Sequence, residues 1–155
     1  MRTVAMILMI AGAVFGADVA DMSGNWRLNP DRSKWNGKPV PKSVRIHIEH
    51  KEPALKYEGK VESNTLAGDS QESTFRFDGA IDGKEYTVQQ DNDTQRITIQ
   101  RVNKYTTRST FHSPDGKTEE VTTTTISPDG KTMTRRIGAK GPQGSKNWVE
   151  VYERE

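Results

Sequence analysis

Apolar and polar residues alternate one for one along most of the chain beyond its first forty residues. In residues 44–49, Val44, Ile46 and Ile48 fall on one side and Arg45, His47 and Glu49 on the other. In residues 55–62, Leu55, Tyr57, Gly59 and Val61 alternate with Lys56, Glu58, Lys60 and Glu62. A period of two belongs to half-buried β-strand, because successive side chains leave opposite faces of a pleated backbone. The same period predicts strands at 73–78, with Phe75 and Phe77 inward, and at 84–89, 95–101, 104–113, 119–126, 132–139 and 147–153. Threonine, valine, isoleucine and tyrosine dominate them, as a pleated surface prefers. No stretch keeps helical spacing for three turns. One short helical turn is predicted after Asn29, with Asn29 as cap and Pro30 at the first helical position.

The turns are spelled out almost as clearly. Ser113-Pro114-Asp115-Gly116-Lys117 recurs as Ser127-Pro128-Asp129-Gly130-Lys131, and Asp82-Gly83-Lys84 is a shorter copy. Proline presets φ for the second turn position and glycine takes the left-handed one, which reads as a three-residue hairpin loop with a glycine bulge. That loop pairs Ser113 with Lys117, Phe111 with Glu119, Ser109 with Val121, Thr107 with Thr123 and Tyr105 with Thr125. The second copy pairs Thr125 with Met133, Thr123 with Arg135 and Val121 with Ile137. A last turn at Gly141-Pro142-Gln143-Gly144 pairs Met133 with Tyr152, Arg135 with Glu150 and Ile137 with Trp148.

One face of this register collects Tyr105, Phe111, Val121, Met133, Ile137, Trp148 and Tyr152, and a one-residue slip would scatter such a set. Across it runs a polar row of Thr107, Thr123, Arg135 and Glu150. An arginine in a partly desolvated lumen needs a partner, which Glu150 supplies. The pair reads either as an internal salt bridge that fills the barrel or as a polar anchor in an apolar pocket. The candidate ligand-binding residues are therefore Arg135, Glu150, Tyr152, Thr107, Thr123, Tyr105, Phe111, Met133 and Trp148.

Composition then decides the setting. Met1-Arg2-Thr3 carries one positive charge, and Val4 to Phe15 runs twelve residues with nothing polar. That is short of the roughly 20 residues a spanning helix needs, and it is the plan of a signal peptide. Residues 1–16 are read as that peptide, cut between Gly16 and Ala17, leaving residues 17–155 as one domain with no transmembrane segment. Of 23 basic and 21 acidic residues Arg2 is the only charged one to be removed, so the exported chain is nearly neutral and lacks the basic footprint nucleic acid requires. Cysteine is absent. That excludes disulfides and thiolate metal sites and favours a bacterial periplasm or exterior. A mean hydropathy of −0.84 would suit disorder, but the strict alternation argues for a folded domain.

Gly24-Asn25-Trp26-Arg27-Leu28 resembles the Gly-x-Trp signature that opens the first strand of the lipocalins, and Val151-Tyr152-Glu153-Arg154 is similar to the closing strand of the fatty-acid-binding proteins. Together they resemble the calycins, antiparallel barrels that hold small apolar ligands. With Asn29, Ser33 and Lys34 the chain also resembles secreted bacterial lipocalin-like proteins, which implies the fold and brings no function with it. The resemblance makes Arg154 the candidate for the arginine that packs over the tryptophan in lipocalins. Fatty-acid-binding proteins anchor a carboxylate with an Arg-x-Tyr near the C-terminus. Here Tyr152 carries over, Glu150 takes the arginine's place, and Arg135 opposite is the substitute anchor. Their two-helix lid has no counterpart, since the stretch from Pro30 to Lys42 is too short and proline-rich.

Catalytic and metal signatures are weak. His47 and His50 lie three apart in a strand and face opposite sides, and His112 falls on the outer face, so no metal site is expected. Ser70 lacks the strand-turn-helix of a hydrolase nucleophile, and Asp91-Asn92-Asp93 reads as a hairpin tip rather than a calcium loop. Thr122 to Thr125 reads as β-propensity. The expectation is an all-β, up-and-down meander closing into an eight- to ten-stranded lipocalin-like barrel, monomeric, without cofactor, binding a small apolar or amphiphilic ligand and not an enzyme. The alternative is an envelope interaction module with a filled barrel. A lumen cavity of several hundred Å³ separates the two.

Overall fold

The computed structural model describes residues 19–155. The predicted signal peptide and its cut before Ala17 lie outside the described residues. Ten strands run in chain order: β1 (Gly24–Leu28), β2 (Ser43–Lys51), β3 (Ala54–Asn64), β4 (Ser70–Ala80), β5 (Glu85–Gln90), β6 (Asp93–Asn103), β7 (Thr106–His112), β8 (Glu119–Ile126), β9 (Thr132–Gly141) and β10 (Gly144–Arg154). Each pairs antiparallel with its chain neighbours, and β1 also pairs with β10, so the meander closes on itself. The helical turn is a single 3-10 turn, Pro30–Arg32, capped as expected by Asn29, whose Oδ1 accepts from the Arg32 amide at 3.1 Å.

Alternation places Val44, Ile46 and Ile48 of β2 inside, opposite Val61, Gly59 and Tyr57 of β3, and Phe75 and Phe77 of β4 face in beside them. Tyr57 stacks on Phe77 with ring centroids 5.0 Å apart. His47 and His50 do face opposite ways: the His47 side chain is half exposed, whereas only 3% of the His50 side chain is open. Asp91-Asn92 is a hairpin tip, its Asp91 carboxylate accepting from the Ser73 hydroxyl and the Thr74 amide.

The end of the barrel that carries the β8–β9 turn and both described termini is sealed by packing and by charge. Trp26 is fully buried there and Tyr152 is 1% exposed. Arg154 lies over the Trp26 ring with its guanidinium carbon 4.4 Å from the centroid, the lipocalin-like contact the sequence suggested. The same guanidinium donates to the Gly130 carbonyl at 2.7 Å, to the Asp21 carbonyl at 2.9 Å and to the Ser23 carbonyl. Gly24 is required beside it: its φ is +124°, and a Cβ would sit 2.9 Å from Arg154 Nη1. A second clasp joins Arg101 to Glu52 at 2.5 and 3.2 Å and Glu52 to His50 Nε2 at 2.8 Å. His50 Nδ1 accepts from the Met22 amide, which assigns the ring proton to Nε2.

Arg154→Ala is expected to cost about 2–4 kcal/mol, because it removes a cation–π contact and leaves three carbonyls without their charged donor. Arg154→Lys should recover less than half, since one ammonium cannot reproduce the planar fork. Urea unfolding reads both, and an unchanged midpoint for the alanine variant contradicts this account of closure.

Candidate functional site

The pairing of the last four strands decides which side chains enter the lumen. β9 and β10 pair as expected, with Met133 opposite Tyr152, Arg135 opposite Glu150 and Ile137 opposite Trp148. The two Ser-Pro-Asp-Gly-Lys hairpins do not. Each contains one more loop residue than a three-residue bulge turn, so Ser113 closes on Thr118 and Ser127 on Thr132. The serine hydroxyl is the reason. Ser113 Oγ accepts from the Thr118 amide at 3.0 Å and Ser127 Oγ from the Thr132 amide at 2.9 Å, so a side chain takes a place in the ladder. Asp115 and Asp129 brace the loops by accepting from those hydroxyls and from the lysine amides.

The register therefore slips by one residue on each side of β8, and the two slips cancel beyond it. β7, β9 and β10 keep their expected faces and β8 alone is turned over. Thr123 is corrected from the lumen to the outer face, where it lies between Arg108 and Arg136, and Val121 moves out with it. Thr124 takes its place, completing the row Thr107, Thr124, Arg135, Glu150. Tyr105 is also corrected. It sits in the tight β6–β7 turn, where Asn103 Oδ1 accepts from its amide, and it is not part of the lumen wall.

The lumen encloses a cavity of about 350 Å³. Thr107, Phe111, Met133, Arg135, Trp148 and Glu150 all line it, as expected. Tyr152 backs the site from below, donating from its hydroxyl to Glu150 Oε2 at 2.9 Å. Arg135 Nη1 donates to the same oxygen at 3.1 Å, and Trp148 Nε1 donates to Glu150 Oε1 at 2.9 Å. Burial pushes the Glu150 carboxyl upward, but the Arg135 charge and the hydrogen bonds from Trp148 and Tyr152 more than reverse this and hold it below the usual carboxylate range. Burial, then the Glu150 charge, raises the Tyr152 hydroxyl, and burial pushes Tyr57 up to about 12. Arg135 keeps its charge because Glu150 more than offsets its desolvation. Deep as it is, the Arg135 side chain retains 27% of its surface, since it faces open lumen rather than packed protein.

Further polar groups reach this space, among them two charged side chains. Glu120 enters from the inverted β8 and Lys38 from the connection between β1 and β2. The Lys38 ammonium stands 3.5 Å from the centroid of the Trp148 ring. Burial lowers its pKa, and Glu150 and Glu120 only partly restore it. Gln95 lines the wall with its Oε1 buried and without a hydrogen-bond partner. Ile126, 2% exposed, carried the signal for Glu120, because it shares the parity of residues 120, 122 and 124. The threonine run hid that signal, and Val121 pointed the other way.

A wider groove of about 540 Å³ lies outside β1 to β5. Its charges are solvated and of both signs, with Arg45 near Glu155 and Lys60 bridging Glu72 at 2.9 Å. The lumen is the better candidate because its charges are desolvated and converge. Among the described residues, no group of three or more histidine, aspartate or glutamate side chains is placed to hold a metal. No helix of the described residues is long and apolar enough to cross a membrane.

No protein-family model matches the sequence, and no curated protein matches it. The fold is similar to that in the crystal structure of the zebrafish ileal bile acid-binding protein complexed with cholic acid, with a TM-score of 0.56 and 14% identity over 86% of this chain and 98% of that one. That likeness and the strand order show the same fold, a closed antiparallel barrel of ten strands.

Glu150→Ala is expected to cost about 3 kcal/mol, since it leaves two buried donors and a partly buried guanidinium without their acceptor. The double variant Arg135→Met/Glu150→Gln should recover more than half of that loss, measured by urea unfolding. The folded pKa of Glu150 lies below its ordinary value of 4.5. Its stabilisation is therefore complete above that pH and is lost as pH falls through the folded value. As pH falls below the ordinary value of 4.5, wild type should lose stability more steeply than Glu150→Gln, and parallel curves would contradict the assignment.

Proposed function

We propose that this protein binds a small, partly apolar ligand in the barrel lumen and does so as an exported protein of a bacterial periplasm or exterior. The observation that carries the reading is the cavity of about 350 Å³, with Ile48, Phe75, Ile97 and Phe111 in its wall and the Arg135–Glu150 pair open to it. An apolar container with a few convergent polar groups is what small-molecule sites share. That a protein of the same fold is complexed with cholic acid supports the reading that this barrel binds a small molecule. A barrel used only as an interaction module has no need of interior space. The cationic start and short apolar run of the first sixteen residues support export.

The neutral fluorophore N-phenyl-1-naphthylamine should bind with a rise in emission. Ser109→Trp places an indole in the cavity and is expected to weaken that binding at least about tenfold without lowering the melting temperature, because a filled pocket excludes the probe. Unaltered affinity would place the probe elsewhere and overturn the lumen reading. N-terminal sequencing of protein recovered from the periplasm or medium should begin at Ala17. Recovery only in the cytoplasm with Met1 intact would overturn the export reading.

A further inference from the structure

The polar groups at the lumen mouth are not arranged for an anion. The charge of Arg135 is already matched by Glu150 at 3.1 Å. Glu120 has no cation within ion-pair distance among the described residues, and its one hydrogen bond, from the Thr122 hydroxyl, is long at 3.4 Å. Gln95 Oε1 is a buried acceptor with no donor. The unmet capacity of the wall is therefore for positive charge and for hydrogen-bond donors, and a buried acceptor left unpaired is costly.

At this mouth the chain supplies a cation of its own. Trp35-Asn36-Gly37-Lys38 is a tight turn closed by the Lys38 amide donating to the Trp35 carbonyl at 2.9 Å. Asn36 and Gly37 both have positive φ, 48° and 80°, the pattern of a type I′ turn. Asn36 Nδ2 pins the turn to β10 by donating to the Asn147 carbonyl at 2.8 Å. The turn delivers Lys38 Nζ onto the face of Trp148, whose ring is held in place by its N–H bond to Glu150. No carboxylate lies within ion-pair distance of Lys38 among the described residues. An ammonium on an aromatic face with carboxylates near is the arrangement that recognises organic cations.

We propose that the lumen mouth is an ammonium-binding site, formed by Trp148, Glu120 and Glu150, and that Lys38 stands there in place of the ammonium group of an amphiphilic ligand. The proposal rests on the lumen reading and names the class of ligand within it. The apolar body of the ligand enters the lumen, and its primary or quaternary ammonium takes the Trp148 face beside Glu120. Lys38 then moves aside about the turn, where a side chain at Gly37 would meet nothing within 4 Å. An anionic head at the same point would lie between two carboxylates.

The test uses four ligands with the same ten-carbon chain, kept below micelle formation: decylamine at neutral pH, decyltrimethylammonium, decanol and decanoate. Calorimetry and displacement of N-phenyl-1-naphthylamine give the affinities. Both ammonium ligands should bind at least about tenfold more tightly than decanoate, the scale of one desolvated charge contact. Lys38→Met and Lys38→Gln should each raise ammonium affinity, relative to decanol, roughly threefold or more by removing the internal competitor. Glu120→Gln should lower ammonium affinity about tenfold relative to decanol. Decanoate binding as tightly as decylamine, or Lys38 variants that gain no ammonium affinity, would overturn the proposal while the lumen reading stands. Failure of all four ligands to bind or displace the fluorophore would overturn both.

Discussion

The contact on which the barrel depends is the guanidinium of Arg154 over the indole of Trp26. A meander of antiparallel strands becomes a barrel only when its first strand meets its last, and here that seam is short. β1 and β10 share three residue pairs, against ten between β9 and β10. Arg154 compensates by joining the last strand to the first through the ring and to the chain segments before β1 and after β8 through three carbonyls. Without closure the two edge strands would expose unpaired backbone groups, and the space between the faces would be a cleft rather than a lumen.

Sealing one end in this way leaves the interior space and its polar lining towards the other. The interior is apolar near Trp26, Met133 and Ile126 and becomes polar towards the connection between β1 and β2. Arg135 and Glu150 mark the change, and each has two duties. They neutralise one another across neighbouring strands, and they face space that no side chain fills. A salt bridge inside a packed core adds little net stability because desolvation offsets attraction. A pair left facing a cavity is instead placed to meet a polar group, so an interior tie and part of the lumen lining coincide in one row. Trp148 extends that logic to the mouth, with its N–H committed to Glu150 and its face to a cation.

Several features were legible without coordinates because local chemistry determines them. The two-residue period specified half-buried strands, and the β8 bounds, residues 119–126, are those the alternation predicts. The Asn29 cap, the last hairpin at Pro142-Gln143 and the pairing of Arg135 with Glu150 follow from residues close in sequence. The Gly-x-Trp start and the arginine three residues after Val151 were each recognisable, although only closure brings them into contact.

Thr123 and Tyr105 mark where that reasoning stopped. Whether Ser113 offers its carbonyl or its hydroxyl to the ladder depends on how the whole loop settles, and both choices suit the same five residues. A change of one residue there inverts every side chain of β8, which is how a lumen carboxylate at Glu120 stayed hidden. Lys38 was hidden for a different reason, since the Trp148 ring it covers lies 110 residues away along the chain. By itself the sequence determined that this chain makes β-strands, roughly where they turn, and which charges oppose each other in the final hairpin, because short-range geometry governs all three. Only the tertiary structure decided which face of β8 is inside, that the lumen is open rather than filled, and that a loop lysine stands over its mouth, because these depend on packing between residues far apart along the chain.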